Sequence, residues 1–284
     1  MPPVKAYRDF YANYVVRSEG SSSQELIAAF AAVERERFVG KGPWQVFVGP
    51  GYIPTISADP RLLYQDVLIG LDTDRGINNG QPSLHARCLA ACAPIAGERV
   101  VHVGAGTGYY TAILAMLTGN AGRVVAYEVE PDLADRAREN LGHLSNVEVR
   151  CASATEVPLP KADVIYVCAG ATHPPDAWLD ALNVGGRLAF PLTPIDEAGC
   201  MLLVTRRGAT DYAAKSIMRV AFYPCVGAQD KVAAQTLGAA MRAHSLDGIR
   251  SLQRGTPADA SAWYVGQGWW LSSADIEHSA SAAQ

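Results

Sequence analysis

Apolar positions change their spacing along this chain, and each change marks an element. "SSSQELIAAFAAVERERFVG" opens on serines suited to capping a helix. Leu26, Ile27, Phe30, Val33 and Phe38 then recur at roughly helical intervals, which predicts a helix over about 23–37. Residues 40–80, with many Gly, Pro and Asp, read as an irregular lead-in holding short apolar pieces such as "YQDVLIGLD". From "QPSLHARCLAACAP" onward the pattern is regular. A helix over 82–93 is stopped by Pro94, and runs of period-two character follow: "ERVVHVG", "GRVVAYEVE", "NVEVRCA", "KADVIYVCAG" and "GRLAFPL". Between them lie "YYTAILAMLTG", closed by Gly119, "PDLADRARENLGHL", with proline at its first position, and "PDAWLDALNVGG".

Strands alternating with helices predict an α/β fold whose mostly parallel sheet is wound on both faces. "GCMLLVTRRG" and "AKSIMRVAFYPC" have no helix between them and should form an antiparallel hairpin on the sheet's edge. Beyond residue 230 the character shifts. "DKVAAQTLGAAMRAHSLDGIRSLQRG" reads as one or two amphipathic helices, and "SAWYVGQGWWLSS" gathers three of the five tryptophans. So apolar a tail should pack on the domain or on a second subunit, as a stabilising cap or as a wall of the substrate cleft. "HSASAAQ" is expected to fray. The chain thus divides into a lead-in (1–80), a ligand-binding domain (81–230) and a C-terminal extension (231–284).

Composition narrows the partners. A hydrophobic share of 49% against 18% charged is enough to form a core. The net charge is −4 and no Lys/Arg run reaches five residues, so the chain lacks the basic face that nucleic acid demands. No stretch approaches the roughly 18 apolar residues of a membrane helix, and the N-terminus shows no apolar core of signal-peptide type. Six cysteines scattered through apolar segments suggest reduced thiols and a cytoplasmic protein.

The candidate chemistry begins at "VVHVGAGTGYYTA". Gly104, Gly106 and Gly108 follow a predicted strand as G-x-G-x-G, tighter than the G-x-G-x-x-G of dinucleotide sites. Such a turn cradles no pyrophosphate, but it lets the strand end approach a ligand carrying a carboxylate and a sulfonium. Glu128 ends the next strand 20 residues after Gly108, where an acid can accept hydrogen bonds from ribose hydroxyls. Together these point to S-adenosyl-L-methionine, with a nicotinamide-type ligand as the alternative. Thr107, Tyr109, Val129, Ala154 and Cys168 complete the candidate cofactor set.

At "ERVVHVGAGTGYYTAILAMLTGNAGRVVAYEVEPDLADRARENL" the chain resembles the class I S-adenosylmethionine-dependent methyltransferases, with their Rossmann-like, doubly wound sheet. "RERFVG", "QPSLHA", "GGRLAFPL" and "VAFYPC" make it similar to the protein-L-isoaspartate O-methyltransferases in particular, over about residues 24–228. The resemblance implies transfer of a methyl group to a carboxylate of an isoaspartyl-containing protein or peptide. It places His85, His102 and Ser153 among the cofactor residues. His102 stands where the family carries an acid, and Ala152-Ser153 stand where it carries Gly-Asp. Gly80 aligns with a family serine that sits beside the substrate carboxylate. A serine restored at position 80 should therefore raise activity. These departures leave two alternatives: a methyltransferase for a different carboxylate, and a cofactor-binding protein with little catalysis.

The chemistry needs no strong base. A carboxylate with a pKa of about 4 is already ionised at neutral pH, so the enzyme need only align it and exclude water. Asn79, Gly80, Gln81 and Ser83, with Asn78, crowd around a helix start whose N–H groups suit an anion, and they form the candidate acceptor site. No metal is expected. His85, Cys88 and Cys92 share one helix face but lack an evident fourth ligand. "THPPD" at 172–176 lacks the asparagine and aromatic residue of amine methyltransferases and reads as part of the acceptor rim.

Overall fold

A computed structural model describes residues 2–195 and 197–276. The chain opens with α1 (Val4–Arg17), which buries Tyr11, Ala12, Val15 and Val16. No start signal marks this helix in the sequence: Pro3 precedes it without a side-chain cap, and no acid lies in its first turn. α2 (Gln24–Ala32) starts where expected, with Ser23 Oγ accepting the Leu26 N–H at 3.1 Å. It ends at Ala32 rather than near 37, because Val33 turns extended and Arg35 swings inward at the head of a 3-10 turn. The lead-in holds two small hairpins, β1 (Gln45–Phe47) with β2 (Tyr52–Pro54) and β3 (Gly70–Asp72) with β4 (Ile77–Asn78). A Val46–Ile69 bridge links them.

The regular part runs α3 (Pro82–Cys92), β5 (Arg99–Val103), α4 (Tyr109–Thr118), β6 (Arg123–Glu128), α5 (Pro131–Leu141), β7 (Val147–Cys151), β8 (Ala162–Val167), α6 (Asp176–Ala181) and β9 (Leu182–Leu192). After it come β10 (Gly199–Arg206), β11 (Tyr212–Val220), α7 (Lys231–Ala243), β12 (Ser251–Arg254), β13 (Ala262–Val265) and β14 (Trp269–Ser272). One ten-stranded sheet has the order β13-β14-β12-β11-β10-β9-β8-β5-β6-β7. From β9 to β7 the neighbours are parallel, and from β9 to β13 they are antiparallel. α6 is shorter than the expected 175–186 segment, since Leu182 already pairs with Ala162 and is fully buried.

Strand alternation sorts the core into two faces. Val101, Val103, Ile165 and Val167 pack with Trp178 and Leu179 of α6 on one side. Val100, Val124, Val164 and Tyr166 pack with Phe30, Leu89 and Ile113 of α2, α3 and α4 on the other. β5 pairs with β6 on one flank and β8 on the other. The chain therefore leaves β5 first one way and later returns on the opposite side, which opens a crevice at the carboxyl ends of these strands.

The tail departs from the expectation in one respect. It contains a single long helix, α7, capped by Asp230, and "SLQR" is strand rather than helix. With the β13–β14 hairpin it extends the antiparallel flank by three strands, so β10–β11 lies inside the sheet and not at its edge. Trp263, Trp269 and Trp270 are all buried. The indole N–H groups of Trp263 and Trp270 reach the carbonyls of Ser245 at 2.9 Å and Thr256 at 3.1 Å. "HSASAAQ" lies outside the described residues.

Among the described residues none after Val226 lines the crevice at the strand ends, which favours the cap over the wall. Leu237, on α7 and fully buried in the shared core, tests this. Leu237→Ala should cost about 2–5 kcal/mol of stability in denaturant melts and leave turnover per folded molecule unchanged. Changed acceptor use at full occupancy of the folded state would instead make the tail part of the site.

Candidate active site

The crevice has a volume of about 580 Å³ and joins the ends of β5, β6, β7 and β8 to the lead-in and to the segment after β11. Its floor follows from how β5 ends. The N–H groups of Gly104 and Ala105 both donate to the Tyr127 carbonyl, at 2.9 and 3.1 Å, and bend the chain over β6. The Gly106 N–H then donates to Glu128 Oε2 at 2.6 Å, while Glu128 Oε1 accepts the Glu130 N–H at 3.1 Å. Burial raises the pKa of the Glu128 carboxyl, and the N–H groups of Glu130, Gly106 and Val129 pull it back down. Beside Gly106 the only atom of the described residues near a notional Cβ is Leu71 Cδ1 at 3.8 Å, so the backbone there faces open crevice.

Of the expected cofactor residues, Gly104, Gly106, Thr107, Tyr109, Glu128, Val129, Ser153, Ala154, His85 and Cys168 all line the crevice. Gly108 and His102 do not. Gly108 has φ +96°, and a Cβ on it would lie 2.6 Å from Leu141, so its bareness serves the packing of α5. His102 points to the face covered by α3 and α4 because strand alternation sends it there. Its Nδ1 meets Thr111 Oγ1 at 2.8 Å and its Nε2 meets Cys168 Sγ at 3.3 Å, which places it beneath a residue that lines the site. Burial lowers its pKa to about 3.

The acceptor side differs more from expectation. Asn79, Gly80, Gln81 and Ser83 line the same crevice. The start of α3, however, is already occupied by an anion: Asp66 Oδ1 accepts the Ser83 N–H at 2.8 Å, and Asp66 Oδ2 accepts from Gln81 Nε2 at 3.0 Å. Gln81 and Ser83 thus build the loop rather than offering free donors. Gly80 has φ +72°, and a Cβ on it would lie 2.2 Å from His85 Nε2. Serine at position 80 would clash there, so the expected gain from that substitution is reversed.

Four contributors were not among the site residues expected from the sequence. Arg35 is fully buried and donates to the carbonyls of Leu63, Gln65 and Val67, at 2.6, 2.8 and 2.7 Å, and to Asn79 Oδ1 at 3.3 Å. Tyr110 stacks on His85 with ring centres 3.6 Å apart, and the Tyr166 hydroxyl meets His85 Nδ1 at 2.8 Å. Burial, then the charges of His102 and Arg35, lowers the His85 pKa to about 3. The segment Met218–Val226 closes the remaining wall; its "VAFYPC" motif was the one available signal. Cys88 and Cys92 lie on the core-facing side of α3, and all six cysteines are unpaired thiols. Among the described residues no cluster of three or more His, Cys, Asp or Glu could hold a metal, and no helix is long and apolar enough to cross a membrane.

Glycines at the end of β5, an acid at the end of β6 and a crevice at the switch point define a class I methyltransferase. A sequence profile of the protein-L-isoaspartate(D-aspartate) O-methyltransferase family matches residues 14–230, and the chain belongs to that family. A protein-L-isoaspartate O-methyltransferase of Bradyrhizobium is 30% identical over 230 residues, 80% of this chain and 97% of its own length. Another, from Marinobacter nauticus, is 36% identical over 213 residues, 73% of this chain and 87% of its own. A Plasmodium falciparum structure assigned to the same enzyme type, in complex with S-adenosyl-L-homocysteine, superposes with a TM-score of 0.62 at 19% identity. That match covers 78% of this chain and 98% of the other, and it shows the fold. S-adenosyl-L-methionine is the cofactor of this family. The crevice fits it: the open backbone at Gly106 leaves room for the ligand, and the fixed Glu128 carboxylate supplies acceptors.

Two outcomes check this geometry. Gly106→Val should abolish binding of S-adenosyl-L-homocysteine in calorimetry by filling the open volume, and Glu128→Ala should weaken it by about 1–3 kcal/mol. Unchanged affinity in both would place the cofactor elsewhere. The second outcome concerns acid. His85 and His102 hold pKa values of about 3 in the fold, against about 6.5 in an unfolded chain. The unfolded state therefore binds more protons below pH 6.5. Stability should fall as pH drops from 6.5 toward 3, by about 1.4 kcal/mol per pH unit for each imidazole. Denaturant melts at pH 7 and pH 5 read the slope, and His102→Asn should reduce it; a flat profile would contradict the neutral, buried imidazoles.

Proposed function

We propose that this chain transfers a methyl group from S-adenosyl-L-methionine to the free carboxylate of an isoaspartyl residue in a protein or peptide. The observation that carries the acceptor side is Asn79, which is 8% exposed and lines the crevice. Its Oδ1 is held by the Ile69 N–H at 3.0 Å and by Arg35, which fixes the amide's orientation. Its Nδ2 is left buried with no partner among the described residues. An unsatisfied buried donor costs about 1–3 kcal/mol, and a carboxylate oxygen would relieve that cost.

The mechanism asks little of the protein beyond position. Bound S-adenosylmethionine would supply an electrophilic methyl on its sulfonium, and an ionised carboxylate can accept it without any proton transfer. Gly104, Gly106, Thr107, Glu128, Val129, Ser153, Ala154 and Cys168 hold the donor against the sheet. Asn79 orients the acceptor, and the surrounding apolar residues exclude water. On this reading residues 1–80 supply the acceptor side, 81–230 the cofactor side, and 231–284 the stabilising extension. The net charge of −4 favours a polypeptide acceptor over nucleic acid, and six unpaired thiols suit the reducing cytoplasm.

Asn79→Asp keeps an oxygen for Arg35 and Ile69 but replaces the donor with an acceptor that repels carboxylate. It should lower kcat/KM for an isoaspartyl peptide about ten- to hundred-fold while S-adenosyl-L-homocysteine affinity stays within about two-fold. Unchanged transfer would remove Asn79 from the acceptor site. Turnover on some other carboxylate, with none on isoaspartyl peptides, would favour a different acceptor.

A further inference from the structure

His85 lies on α3 with its ring held on three sides. Tyr110 stacks on it, and Tyr166 and Phe222 meet it edge-on with ring centres 6.0 Å away. Tyr166 is fully buried; its hydroxyl meets His85 Nδ1 at 2.8 Å, and the Cys88 thiol is its other hydrogen-bonding neighbour. Thiol sulfur is a far weaker acceptor than an imidazole nitrogen, so the Tyr166 O–H donates to Nδ1. The ring's own proton then sits on Nε2, which makes no hydrogen bond among the described residues.

That atom is placed by its relation to Gly80. Any side chain at position 80 would collide with Nε2, so the imidazole occupies the volume a residue-80 side chain would take. The loop cannot drift away. The Gly80 N–H donates to Asn78 Oδ1 at 2.9 Å, and the Gly80 carbonyl accepts from the Tyr110 hydroxyl at 3.3 Å. Asn79, with its unpartnered amide nitrogen, is the adjacent residue.

We propose that the His85 Nε2–H is the second donor that holds the acceptor carboxylate, paired with the Asn79 amide across a deliberately bare Gly80. This rests on the carboxyl-methylation reading above and moves His85 from the cofactor side to the acceptor side. Two neutral donors suit the reaction. A cation would bind the free carboxylate more tightly than the transition state, in which the carboxylate's charge is being lost, and so would lower kcat. Neutral N–H groups fix the direction of a carboxylate and leave its charge available for attack.

The test compares His85→Leu, which removes the donor, with His85→Gln, whose amide N–H reaches nearly the same place. His85→Leu should lower kcat about thirty-fold or more, with S-adenosyl-L-homocysteine affinity within about three-fold of the parent. His85→Gln should recover most of that loss. Equal losses in the two variants, or cofactor affinity falling in step with kcat, would overturn the proposal. Nitrogen-15 NMR of the parent keeps the question open to refutation even if His85→Leu fails to fold. Protonation on Nε2 is expected, with its proton shifting when isoaspartyl peptide joins the S-adenosyl-L-homocysteine complex; protonation on Nδ1 would contradict the proposal. Rates are ratios on whichever carboxylate the parent methylates, so failure of the isoaspartyl assignment is distinguishable from failure of the His85 role.

Discussion

Everything functional in this molecule depends on β5 lying between β6 and β8 with parallel neighbours on both sides. Two chain excursions that start at the centre of the sheet and leave in opposite directions cannot both cover the strand ends, so a crevice is left there. Backbone hydrogen bonds then make its floor rigid. Gly104 and Ala105 are tied to the Tyr127 carbonyl, and the Cys168 N–H is tied to the Val103 carbonyl at 2.8 Å. Glu128 straps the Gly106 amide to the end of β6. The cofactor half of the site is thus a product of sheet topology and needs few long side chains.

The acceptor half is built differently. It comes from the part of the lead-in after α2, which holds only short hairpins and 3-10 turns, and Arg35 holds it together. A fully buried guanidinium must find acceptors or destabilise the fold. Here it collects three carbonyls, from Leu63, Gln65 and Val67, and the Asn79 side-chain oxygen. Asp66 adds a second tie by capping the start of α3. The same hydrogen bonds that satisfy the arginine set the direction of the Asn79 amide, so loop stability and acceptor orientation are one arrangement.

How much of this was legible in the sequence follows from which interactions are local. The βα alternation, the glycines and Glu128 are strand-end features with fixed spacing, and the structure places them at the crevice. His102 and Gly108 share that spacing but turn away, because alternation along β5 and the approach of Leu141 decide their surroundings. Arg35 reads as one more surface charge in "RERFVG"; only the fold brings three carbonyls to it. The collision that a side chain at position 80 would make with His85 is likewise a tertiary fact, and it argues against what alignment with a family serine suggests. "SLQR" pairs as a strand only because β11 and the buried tryptophan hairpin flank it. α1 lacks any capping signal at all.

The central claim is that this crevice presents an acceptor carboxylate of isoaspartyl geometry to the methyl donor. It is tested most directly by measuring methyl transfer from S-adenosyl-L-methionine to a pair of peptides that differ only in carrying isoaspartyl or normal aspartyl at one position. Transfer to the isoaspartyl peptide, with little or none to its aspartyl twin, is the predicted result. Equal transfer to both, or transfer to neither by protein that still binds S-adenosyl-L-homocysteine, would contradict it.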